Sequence, residues 1–224
     1  MKASVPEGQE VKMDIMPAAK ARAEKLGVGN VVVATNSGAS VLAAQEAFGP
    51  GYQFFAVGNP ASAHDRGLCL HTGISDETRR ALQAKGITVI TRDQSLFQAD
   101  ERTDTGPSLH DAAVRAYADR FHGGRLPLQG GYDIVAMTGH LLAEFFGDGP
   151  KVCLEVALMA ADSGQLPLDD DCMAIATPKL GFAHAAMILR AARTQDLFSM
   201  RLRVKDLLLV PAPDDVWFSN GPLP

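Results

Sequence analysis

Val31-Val32-Val33-Ala34 is apolar at four consecutive positions, so a strand built from it is buried on both faces. Such a strand is expected in the interior of a sheet that is covered on both faces. The run gives way to Thr35-Asn36-Ser37-Gly38-Ala39-Ser40, then to Val41, Leu42, Ala44 and Phe48 at helical spacing. A strand, a hydroxyl-rich turn and a helix start gather backbone N–H groups and hydroxyls at one point, an arrangement suited to phosphate. Gly38 would let an anion approach the backbone, Thr35, Ser37 and Ser40 would add hydroxyls, and the helix dipole would favour negative charge. A plainer reading stands beside this one: Ser37 caps the helix and Gly38 relaxes a tight turn.

The alternation continues on both sides. Pro17 to Leu26 reads as a helix with Gly27 past its end. Phe54–Gly58 is a second strand. Ser75 is placed to cap a helix with Asp76 and Glu77 in its first turn and Gly86 after its end, and Ile87–Thr91 is a third strand. Strand and helix in turn predict a parallel sheet with right-handed crossovers. Residues 94–107 read as a polar loop and 108–121 as a helix. Asp133–Phe146 reads as an amphipathic helix whose apolar stripe is Ile134, Met137, Leu141 and Phe145. Val152–Ala161 is apolar nearly all round and predicts a buried helix ending at Gly164. Cys172–Ala176, Ala185–Leu189 and Asp206–Val210 are three further strands. The reading is one domain over residues 1–211, with 212–224 as a surface tail.

Composition removes several function classes. With 46% hydrophobic and 21% charged residues the chain is expected to fold rather than stay disordered. A net charge of -5 without a dense Lys/Arg run argues against nucleic acid as a partner. No uncharged apolar run is long enough for a bilayer, so no membrane partner is expected. The start, Met1 to Gly8, lacks the apolar stretch of a signal peptide. Cys69, Cys153 and Cys172 form no C-x-x-C pair, and the expectation is reduced thiols in a cytoplasmic protein. A homo-oligomer is allowed, and no residue pattern fixes the assembly state.

Motifs narrow the rest. No G-x-G-x-x-G follows a strand, Gly27-Val28-Gly29 precedes one instead, and neither a nucleotide-hydrolysing P-loop nor a nucleophile elbow is present. His64-Asp65 and Cys69-Leu70-His71 are ligand-type residues at no common zinc spacing, and no metal is expected. Glu155 and Asp162 lie two turns apart on one apolar helix, serving either a site or an internal ion pair or cap. In an open α/β sheet, ligands sit beyond the carboxyl ends of the strands. The loops gathered there are 35–40, 59–64, 91–95 and 177–184. Asn59, Arg92, Lys179 and His184 in them either contact a phosphorylated ligand or are solvated loop residues.

At these residues the chain resembles a known family. Thr35 to Ser40 resembles the T-x-S-G-x-[ST] loop of the pyruvate kinase C-terminal domain, which holds a phosphate of an allosteric sugar bisphosphate. Thr177-Pro178-Lys179-Leu180-Gly181-Phe182-Ala183-His184 lies where that domain carries its second effector loop, here without the Trp and one Gly. Stand-alone archaeal and bacterial proteins of this type are more similar still, above all over Lys151 to Gly164, and the likeness spans about residues 17–211. Residues 103–131 look like an insertion relative to them. The resemblance implies a Rossmann-like three-layer α/β/α fold with a mostly parallel sheet in the order 3-2-1-4-5 and one antiparallel strand near the edge. It implies no pyruvate kinase activity, because the barrel that carries that chemistry is absent. It also implies flavin mononucleotide (FMN) as ligand, its phosphate on Thr35, Asn36, Ser37, Gly38, Ala39 and Ser40, with Thr177 and Gly181 in the second loop. Two alternatives are an FMN-dependent oxidoreductase and a regulatory domain that senses a sugar phosphate.

Overall fold

The computed structural model describes residues 15–58, 73–91, 134–176 and 185–209. Helix α1 (Met16–Leu26) has Pro17 in its first turn, where a missing N–H costs nothing, and ends at Gly27, whose φ of 68° is left-handed. Strand β1 (Asn30–Ala34) follows, then α2 (Ala39–Phe48) and β2 (Gln53–Val57). Next come α3 (Asp76–Ala84), β3 (Thr88–Ile90), α4 (Ile134–Phe146) and α5 (Asp148–Asp162). Strands β4 (Asp171–Ala176), β5 (Ala185–Arg190) and β6 (Arg203–Leu209) close the described chain.

The strands form one mixed sheet of six in the order β3-β2-β1-β4-β5-β6. β2 pairs in parallel with β3 and β1, and β1 in parallel with β4. β5 is antiparallel to both of its neighbours, so it alone runs against the rest. β6 stands at the edge, outside the five strands of the order that the resemblance implies.

The valines of β1 account for the layering. Val31 and Val33 enter one core with Met16, Ala19 and Ala23 of α1, Val41, Ala44 and Phe48 of α2, and Leu82 of α3. Val32 points the other way, into a second core with Cys153, Val156, Ala157 and Ala160 of α5. All three valines are fully buried. Helices therefore cover both faces of the sheet, as a strand without polar positions requires. Met159, Met173 and Met187 fill these cores.

α4 departs from the sequence reading. The stripe expected to face the core includes Leu141 and Phe145, yet Leu141 is 46% and Phe145 66% exposed. The helix instead turns Gly139 and Ala143 inward, and its contacts are with α5. Residues 1–14 and 210–224, and with them the start of the domain and the tail, lie outside the described residues. So do the polar loop at 94–107, the 108–121 helix and the insertion at 103–131.

Candidate functional site

Because β1 hands the chain to β2 on one side while β4 returns on the other, the carboxyl ends of β1 and β4 flank the point where strand order reverses. Open α/β sheets hold ligands at that crevice. The segment from Thr35 to Ser40 leaves β1 there.

Its geometry is set from within. The Thr35 amide donates to the Val57 carbonyl at 2.9 Å, prolonging the β1–β2 ladder by one rung. The Thr35 side chain is buried, and its Oγ1 accepts from the Gly38 amide at 3.0 Å. Gly38 takes φ 83° and is the residue that precedes the first turn of α2. Its carbonyl accepts from Leu42 at 3.1 Å, the first bond of the helix. Ser37 is exposed, and its Oγ accepts from the Ala39 amide at a long 3.4 Å. Asn36 and Ser40 are half-buried and make interactions of their own.

Two expectations change here. Gly38, not Ser37, occupies the cap position of α2, and Ser37 reaches that end only through the long bond to the Ala39 amide. Nor does the missing side chain of Gly38 open a path for a ligand. A Cβ there would lie 3.1 Å from Thr78 Cγ2 and 3.3 Å from Leu82 Cδ2, so the space belongs to α3. The convergent set of backbone donors is correspondingly smaller, since the Gly38 amide already has its acceptor. What faces outward is the Ser37 hydroxyl beside the positive end of the α2 dipole.

The first turn of α3 buttresses this loop. Ser75 Oγ accepts from the Thr78 amide at 3.2 Å and donates to Thr78 Oγ1 at 3.0 Å, fixing the side chain that rests on Gly38. One residue on, Arg79 donates to Thr91 Oγ1 at 2.8 Å, just past the carboxyl end of β3. The sequence reading did not single out Arg79. Its position in the first turns of a helix capped by Ser75, following a strand, is the signal that points to it.

Asn59, Arg92, Thr177, Lys179, Gly181 and His184 lie outside the described residues, as do His64, Asp65, Cys69 and His71. Among the described residues no three His, Cys, Asp or Glu side chains come together as a metal site. Asp162 is a cap: its carboxylate accepts from the Thr194 amide at 3.0 Å and the Thr194 hydroxyl at 2.6 Å. Thr194 is 1% exposed, so that carboxylate supplies partners inside the fold. Cys153 and Cys172 are free thiols and buried. Burial pushes Cys172 up to about 12 from the usual 9.0, with the neighbouring Asp171 charge adding to it. Burial also raises Cys153, so neither thiol is a nucleophile at neutral pH.

A shallow opening of about 460 Å³ lies elsewhere, lined by Lys20, Glu24, Gly27, Gly29, Pro50 and Tyr52. These residues precede β1 and β2, so the opening is at the amino end of the sheet, opposite the Thr35–Ser40 loop. Tyr52 there stacks edge-on to Phe48 at 5.1 Å, and burial and Glu24 raise its phenol above the usual value. Among the described residues no helix is long and apolar enough to cross a membrane. No protein-family model matches the chain.

Proposed function

We propose that the chain is a binding protein of the pyruvate kinase C-terminal type that holds a phosphorylated small molecule, FMN first among candidates, at the carboxyl end of β1. One observation carries this reading: the exposed Ser37 hydroxyl and the amino end of α2 lie together where strand order reverses. Anions gain from that helix end and from hydroxyl donors beside it. The long bond from Ala39 to Ser37 is weak, so a phosphate oxygen would compete well for the Ala39 amide. The negative charge of an FMN phosphate would be favoured at this end of the helix. FMN supplies electron and hydride transfer when bound; what this chain contributes is Ser37 and the helix end that position the phosphate.

The test is a titration of the purified protein with FMN and with riboflavin, followed by flavin fluorescence. FMN is expected to bind at least tenfold more tightly than riboflavin. Ser37→Asp places a carboxylate at the phosphate position, and is expected to remove that preference while leaving riboflavin affinity unchanged. No discrimination between the two flavins in the unsubstituted protein, with none for inorganic phosphate or sugar phosphates either, would overturn the reading. Thermal stabilisation by a sugar bisphosphate and not by FMN would keep the phosphate site and replace the ligand.

A further inference from the structure

We infer that Arg190 and Arg203 form a site for a phosphate group, at the end of the sheet opposite the Thr35–Ser40 loop. The β5–β6 ladder sets Arg190 directly across from Arg203. Side chains at opposed ladder positions share a face and begin about 5 Å apart, where like charges repel. The arrangement is unfavourable unless something negative joins the pair. The local sequence sharpens this: residues 190–205 carry four Arg and one Lys against a single acid, Asp196, in a chain whose net charge is -5.

The carboxylates that could neutralise the pair are engaged elsewhere. Asp171 stands opposite Arg190 across the other ladder, but its Oδ2 accepts from Lys205 Nζ at 2.5 Å. Asp206, further along β6, is paired with Arg22. Asp169 and Asp170 precede β4 and bond to Ala191 through the backbone. Among the described residues no carboxylate is ion-paired with Arg190 or Arg203. Each guanidinium meets a neutral carbonyl instead. Arg190 Nε donates to the Arg201 carbonyl at 3.0 Å, and Arg203 Nη1 to the Leu202 carbonyl at 3.1 Å. A guanidinium presents several N–H donors in a fixed fork, so most of theirs have no acceptor among the described residues.

Two adjacent forks select the ligand class. A carboxylate fills one fork, whereas the oxygens of a phosphate group point in enough directions to accept from two. Arg190 is half-buried and Arg203 exposed, so the site is open to solvent. Both stand on strand backbone, which holds their spacing. Neither belongs to the Thr35–Ser40 loop, and the inference does not rest on the flavin reading.

Inorganic phosphate titrated into the full chain carrying Ser37→Asp tests this, with melting temperature as the readout and ionic strength held constant by sodium chloride. Ser37→Asp removes any contribution from the loop at the other end of the sheet. Phosphate is expected to raise the melting temperature, and Arg190→Gln and Arg203→Gln, added singly, are each expected to weaken its binding at least tenfold. Without phosphate, Arg203→Gln is expected to melt no lower than its parent, because a repulsion has been relieved, and the parent to overtake it as phosphate is added. No stabilisation beyond that of chloride overturns the inference, and so does a stabilisation that both Gln variants keep in full. A lower melting temperature of Arg203→Gln in chloride alone also overturns it, since the guanidinium would then be holding the fold. Phenyl phosphate separates two sources of the same group. Tighter binding of this ester assigns the site to the end of a larger molecule, tighter binding of the free ion to phosphate itself, and either result keeps the inference.

Discussion

At Gly38 two demands meet: a backbone in the left-handed region and a neighbouring methyl group that would stand 3.1 Å from any added Cβ. Gly38→Ala is therefore expected to lower stability by about 1–3 kcal/mol, read from urea unfolding and unaffected by added phosphate. The residue was legible in the sequence as special, but its reason was not, because the methyl belongs to Thr78, 40 positions away in the chain. Cys172 gives a prediction in pH. Its thiol is raised in the folded chain to about 12, so the unfolded chain releases the proton first. The stability it contributes is whole below the unfolded value and is lost as pH climbs from there toward 12. Between pH 8 and pH 10 the loss is on the order of 1 kcal/mol per buried thiol, and replacing both Cys153 and Cys172 by Ala should flatten that slope in urea melts. The thiols should also resist a disulfide reagent at pH 8 until denaturant is added.

Caps decide the elements. Ser75 was readable as the start of α3 from its type and from the acids after it, and the structure gives it the expected bond to the Thr78 amide. Ser75→Ala should cost about 1 kcal/mol in thermal melts, since it removes that bond. It should also loosen Thr78 against Gly38. Asp162 was legible only as a choice between roles. Its partner Thr194 belongs to a short turn 32 residues on, which no local pattern connects to it. Asp162→Ala leaves a buried amide and hydroxyl without acceptors and is expected to destabilise by about 2–3 kcal/mol, Asp162→Asn by less. α4 shows the limit of periodicity. Spacing identifies a stripe and a helix, but not which side a neighbour claims. Here Gly139 and Ala143 are the buried positions, while Leu141 and Phe145 are exposed.

Across the whole molecule, the general α/β class followed from the alternation of strands and helices, marked off by Pro17, Gly27, Ser75 and Gly86. The partners of β6 did not, because antiparallel pairing at an edge depends on contacts distant in sequence. One tie between segments far apart in sequence is the ion pair of Arg22 on α1 with Asp206 on β6. Both side chains are partly open to solvent, so Arg22→Ala should cost no more than about 1 kcal/mol in urea melts, and less in high salt. β6 also departs from regular pairing: Ile188 opposes Asp206 while Leu189 opposes Val204, leaving Lys205 as an extra residue. A bulge and a lysine on an outer strand discourage strand addition. The reversal at β5 carries a last implication. Ala176 and Ala185 face each other across the ladder, so the chain departs the sheet and rejoins it on a single rung. Whatever sequence joins them is anchored at both feet beside the exit of β1. Lengthening it should therefore cost the fold little, because loop-closure entropy grows slowly with loop length.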